Sequence, residues 1–203
     1  MADKGKKKAL ESDAADNAYY RLRERGIIFI DKEISPRYVA KVSHDLVFMH
    51  SLPALAAKPF WIVLNSPGGD LYQGLALHDI IKAQVAGGRI IKVVGTGIVA
   101  SMSAVILQAG SARLSLPNTQ FLIHQVSELK LFSEEEVNQA EENTQELRRI
   151  NQIVIGIIAK RTGMPLAKLL QITKKRNYWL DPEGAMKFGS HGLIDKIVTS
   201  LPF

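Results

Sequence analysis

Apolar positions along this chain fall into two alternating patterns: short unbroken runs, and stretches in which they recur every three or four residues. "RGIIFIDKEI" (25–34) is a short β-branched run and predicts a strand. "SPRYVAKVSHDLVFMHSL" follows with Ser35 at the N-cap position and Pro36 at the first helical position. Its apolar residues Val39, Val42, Leu46 and Met49 keep helical spacing. "PFWIVLN" (59–65) predicts a continuous apolar strand ending at the turn "SPGGD". A helix over "LYQGLALHDIIKAQV" and a strand over "GGRIIKVVG" come next.

In "GTGIVASMSAVILQAG" (95–110) a strand gives way to a helix-compatible stretch at Ser101. "ARLSLPN" and "QFLIHQ" (120–125) predict short strands separated by a turn at Pro117–Asn118. A long helix runs from about 133 to 161, opened by a capping box of Ser133 and Glu136, with Glu134 and Glu135 suited to its positive end. Gly163 stops it. "PLAKLLQITKK" is a short helix, "NYWLD" a strand, "PEGAMKFG" a helix closed by Gly189, and "LIDKIV" the last apolar run.

This alternation predicts an α/β fold with a mainly parallel sheet and crossover helices. The helix near 133–161 is too long, and too charged along one side, for a simple crossover, and reads as a projecting arm. Val154, Ile155, Ile157 and Ile158 predict burial of its end against the body or another subunit. Residues 1–18 read as a disordered basic and polar lead, and 19–203 as a single domain.

Composition narrows the chemistry. The 203 residues are 46% hydrophobic and 23% charged, ordinary for a globular protein able to bury a core without staples. There is no cysteine, which excludes disulfides, thiolate zinc sites and a cysteine nucleophile. The net charge of +6 is concentrated in Lys4, Lys6, Lys7 and Lys8. Without the first eight residues, 22 basic side chains face 19 acidic ones, so nucleic acid is not an expected partner. "ALESDAADNA" stands where a signal peptide needs an apolar region, and no apolar run approaches a membrane span. The expectation is a soluble cytoplasmic protein.

Two turns carry candidate chemistry. "NSPGGD" (65–70) follows a strand and precedes a helix, and its adjacent glycines suit either a tight chain reversal or N–H groups facing an oxyanion. It lacks the lysine of a phosphate loop. Ser101 suits either a helix N-cap or a nucleophile at the positive end of a helix. It is not the G-x-S-x-G elbow, because residue 99 is valine and residue 103 is serine. A serine nucleophile needs a base. His44, His50 and His78 fall on helices and His191 in a polar turn, whereas His124 ends the apolar strand "QFLI", as a structural residue or as one held for a purpose. No histidine pair has metal-ligand spacing, so no metal and no cofactor are expected.

"LNSPGGD", "GTGIVASMSAVILQAG", "LPNTQFLIHQ" and "FGSHGLIDKIV" resemble, in order and spacing, the proteolytic subunit of the Clp protease, over about residues 20–200. The resemblance implies a crotonase-like α/β fold of ββα units with a projecting helical handle at about 126–161. It implies Ser101 as nucleophile, His124 as general base, and the N–H groups of Gly69 and Met102 as the oxyanion hole. Family members assemble into rings interlocked through the handles. They partner hexameric unfoldase ATPases of the AAA+ class, which feed unfolded polypeptides into a closed chamber.

The chain departs from that family at three places. The position of the family's triad aspartate is Asn177, in "KKRNYWLDPEG". Asparagine can orient an imidazole but cannot stabilise an imidazolium by charge, and the equivalent loss in a serine protease costs about 10⁴ in rate. Asp181 is the nearby carboxylate, and Asn177 itself is the expected third member. "VSELKLFSEEE" replaces the proline and glycine-rich segment after His124-Gln125. Trp61 and Val63 stand where tyrosines usually form the ATPase docking groove, and the N-terminus only loosely matches the family's axial loop. The expected function is a Clp-type serine endopeptidase subunit of a homo-oligomeric, double-ring assembly. The alternative is a weak or silent subunit in a mixed ring with an active paralogue. A crotonase-type acyl-CoA enzyme would share the paired N–H groups but leaves the Ser–His placement unexplained.

Overall fold

The structure, a computed structural model, describes residues 18–125, 137–174, 177–201 and 203. The basic lead through residue 17, the segment 126–136 and the capping box at Ser133 and Glu136 lie outside the described residues.

The apolar runs become strands. β1 (Ile27–Ile30), β2 (Phe60–Ser66), β3 (Ile91–Ala100), β4 (Ala112–Ser115) and β7 (Lys196–Ile197) lie in the order β1-β2-β3-β4-β7, every pair parallel. Parallel strands need crossovers, and these are α1 (Pro36–Ser51) between β1 and β2 and α2 (Leu71–Ala86) between β2 and β3. β4 ends at Ser115, just before Pro117, which has no N–H for a ladder. Among the described residues no helix is long and apolar enough to cross a membrane.

β3 forks the sheet. Its first half pairs with β4 from Lys92 to Gly95, and its last residues, Ile98 to Ala100, pair with β5 (Gln120–Ile123). Opposite β2 the register jumps from Leu64–Gly95 to Ser66–Val99, and the Asn65 carboxamide oxygen fills the irregularity by accepting the Ile98 N–H at 3.0 Å. β6 (Tyr178–Leu180) runs antiparallel to β5.

The helices cover one face of this sheet. Val39, Val42, Leu46 and Met49 of α1 are buried at the spacing that the sequence predicts. α3 (Met102–Leu107) is buried throughout, which is why its residues other than Ser103 are apolar on every side. The long helix α4 (Val137–Thr162) buries Val154, Ile155 and Ile158 at its C-terminal end, while Ile157, the fourth residue expected there, is only partly buried. α5 (Leu166–Thr173) and α6 (Pro182–Met186) follow, and a short 3-10 turn spans Pro53–Leu55 after α1. The opposite face carries a smaller cluster around Ile27, Trp61 and Val94, where the Phe203 ring lies 5.5 Å from that of Trp61.

The first two crossover helices begin differently. Ser35 occupies the N-cap of α1 with extended backbone, but its side chain makes no capping hydrogen bond. Asp70 caps α2, its carboxylate accepting the Gln73 N–H at 2.9 Å. β4 and the segment before β7 are joined through Arg113, which is 2% exposed and donates to Gln108, to the carbonyls of His191 and Gly192, and to the Asp195 carboxylate.

Candidate active site

Ser101 is the joint between β3 and α3, and its backbone is unusual. With φ 56° and ψ −125° it is the only non-glycine at positive φ among the described residues. Such a conformation costs on the order of 1–3 kcal/mol and persists only where its surroundings hold it. Those surroundings are visible. The Ser101 N–H donates to the Leu122 carbonyl of β5 at 2.9 Å, and the Ser101 carbonyl accepts the Ala104 N–H of α3 at 3.0 Å. The side chain is therefore turned out of a strand and set at a helix start without capping it. Ser101 is half-buried.

The turn after β2 packs against this joint. Gly68 and Gly69 have φ of 93° and 145°, both left-handed. A Cβ on Gly68 would stand 2.7 Å from the Ser101 Cβ and 3.0 Å from the Met102 nitrogen, so only glycine lets the two turns touch. Gly69 bridges to Ile34, whose N–H donates to the Gly68 carbonyl and whose carbonyl accepts the Asp70 N–H. That pattern leaves the Gly69 N–H outside the bridge. Neither it nor the Met102 N–H donates to any acceptor among the described residues. Two unspent donors, one in a glycine turn and one at a helix start, therefore flank Ser101, a pairing suited to developing negative charge on oxygen.

β5 delivers His124. Leu122, whose carbonyl holds Ser101, is followed two residues later by His124, which is half-buried. Gln125 anchors the strand end by donating to the Leu170 carbonyl of α5 at 2.6 Å. β6 then delivers Asn177. Its ladder with β5 pairs Phe121 with Leu180, Leu122 with Trp179 and Ile123 with Tyr178. The ladder ends there, and His124 and Asn177 are the next residue of each chain beyond the Ile123–Tyr178 pair, so the register directs them toward one another. Asn177 is exposed. Among the described residues no hydrogen bond joins the side chains of Ser101, His124 and Asn177. In unliganded enzymes such bonds are often long and tighten only around substrate.

The remaining candidates go elsewhere. Asp181 is the N-cap of α6 and accepts the Gly184 N–H at 2.7 Å, so its carboxylate is committed to a helix end. His44 and His50 ride on α1, and His78 is buried on α2 beside Asp79. Among the described residues no group of three or more His, Asp, Glu or Cys could hold a metal ion. Sequence reasoning missed the hydroxyl network of Ser66 and Ser103 beneath Ser101, since a serine in a small-residue run carries no sign of its partner.

The sequence profile of the Clp protease family matches residues 10–201. The ATP-dependent Clp protease proteolytic subunit 3 of Rhizobium etli is 36% identical over 177 residues, covering 85% of this chain and 84% of the relative. The proteolytic subunit 2 of Treponema denticola is 32% identical over 195 residues, covering 95% and 90%. The proteolytic subunit 2 of Prochlorococcus marinus is 30% identical over 183 residues, covering 89% and 86%.

Proposed function

The chain belongs to the Clp protease family, and on that premise we propose that it is a serine endopeptidase subunit of a ring assembly that cuts unfolded polypeptides into peptides. In this reading Ser101 attacks the scissile carbonyl while His124 takes its proton and later returns it to the leaving amine. The N–H groups of Gly69 and Met102 receive the oxyanion, and Asn177 orients His124. The observation that carries the reading is the left-handed backbone of Ser101 at a strand-to-helix joint, flanked by two free N–H groups. A strained serine with that setting is more than a helix cap.

Further parts of the proposal rest on the family. Copies of the chain, or this chain and a paralogue, form a double ring interlocked through the long helix, and a hexameric AAA+ ATPase supplies unfolded chains. Selectivity then comes from access to the chamber, in the cytoplasm. A fluorophosphonate probe tests the chemistry: it labels Ser101 in the assembled wild-type protein, and absence of labelling there overturns the active-enzyme reading.

Asn177 favours a second reading, in which the subunit is weak or silent and serves a mixed ring beside an active paralogue. Isolation with a second subunit bearing aspartate at that position supports it. Robust cleavage by a ring of this chain alone rejects it.

A further inference from the structure

With Ser101 read as the nucleophile, its neighbour Ser103 takes on a role of its own. Ser103 lies one residue past Met102 in α3 and is fully buried. Its hydroxyl lies 2.7 Å from the Ala100 carbonyl and 2.7 Å from the Ser66 carbonyl. The first contact is a local back-bond of the kind that serines make near helix starts. The second reaches across 37 residues of sequence to the end of β2. Ser66 continues the connection: its hydroxyl donates to the Lys32 carbonyl at 2.7 Å and accepts the Gly68 N–H at 3.2 Å.

The single Ser103 O–H is thus shared between the carbonyl just before Ser101 and the carbonyl of Ser66 at the strand end before the glycine turn, and the Ser66 hydroxyl separately takes the Gly68 N–H within that turn. Gly68 is also the point where the two turns are in van der Waals contact. Ordinary packing does not require a hydroxyl here, because the rest of α3 is apolar and buried without one. We infer that Ser103 is a positioning residue, whose hydroxyl fixes the strained Ser101 turn against the Gly68–Gly69 turn and so sets the nucleophile relative to both oxyanion donors.

Ser103→Ala tests this, because alanine fits the space and favours helix. The readouts are the fluorophosphonate labelling rate of Ser101, kcat and KM on a fluorogenic peptide, and amide exchange across 66–69 and 100–103, all on the assembled protein. Labelling rate and kcat are expected to fall about tenfold with KM little changed, since small misplacement of reacting groups is costly. Exchange rises in both turns, and Ser103→Thr, which keeps the hydroxyl, restores the labelling rate. Unchanged labelling in Ser103→Ala overturns the proposal, whether or not exchange rises. If the alanine variant does not assemble, Ser103→Cys takes its place, with a thiol that fills the space but donates weakly. Should the wild type resist labelling altogether, the enzymatic reading fails on its own account. Unchanged exchange in both turns then overturns the hydroxyl connection as well.

Discussion

The Leu122 carbonyl accepts the Ser101 N–H at 2.9 Å, so the strand that carries His124 also holds the residue His124 is proposed to activate. That bond stabilises a backbone conformation natural to glycine and unfavourable for serine. With Ser101 as the proposed nucleophile, stability and function are opposed at one residue.

Replacing Ser101 separates the two. Ser101→Ala and Ser101→Gly are both expected to abolish labelling and peptide cleavage while the assembly survives. The alanine keeps the unfavourable φ, and glycine relieves it. Ser101→Gly is therefore more stable than Ser101→Ala by about 1 kcal/mol, after allowance for the greater freedom of glycine in the unfolded chain. Denaturant midpoints of the two variants, compared at equal concentration, decide it.

Asn177→Asp is the corresponding gain-of-function change. A carboxylate opposite His124 both orients the ring and stabilises its charged form, which an amide cannot do. We expect kcat/KM to rise at least tenfold, with a ceiling of about 10⁴ set by the reverse change in other serine proteases. An unchanged rate means that residue 177 does not face His124 during turnover.

The alternation of apolar runs made most of the fold legible. The strand over residues 60–66 and the helix over 71–86 lie where their periodicity predicts. The register jump between β2 and β3 was not legible, because the Asn65 side-chain oxygen fills it by accepting the N–H of Ile98, 33 residues away on the neighbouring strand. At the site, Ser101 and His124 could be singled out from their positions at strand ends. The Ser66–Ser103 link could not, since a hydrogen bond to a distant carbonyl leaves no periodic trace. The approach of His124 to Asn177 that the β5–β6 register implies depends on strand pairing, which sequence spacing alone does not determine.

Gly68 gives a steric test of how closely the two turns must meet. The added Cβ of Gly68→Ala would lie 2.7 Å from the Ala100 carbonyl oxygen and from the Ser101 Cβ, at a φ of 93°. Both effects are unfavourable, and we expect a stability loss of about 2 kcal/mol or more together with loss of labelling. Gly87→Ala is the control. Gly87 has φ −75°, and its new Cβ would meet nothing nearer than 3.5 Å, so stability and labelling stay near wild type.

Asp195 and Arg113 predict how the fold responds to acid. Partial burial pushes the Asp195 carboxyl up, but the hydrogen bonds and charge of Arg113 outweigh it and hold the group below the usual carboxylate range. A carboxylate depressed on folding contributes stability that is fully present above its unfolded value, near pH 4, and is lost as pH falls through the lower folded value. The protein therefore loses stability progressively below about pH 4, and Asp195→Asn removes that part of the acid dependence. At neutral pH the same change leaves Arg113, 2% exposed, without its counter-charge. Breaking a fully buried pair costs about 3–5 kcal/mol. The Asp195 side chain is 37% exposed, so we expect nearer 2 kcal/mol. Denaturant titrations at pH 3, 5 and 7 check both statements: the gap between wild type and Asp195→Asn should be widest at pH 7 and narrow toward pH 3.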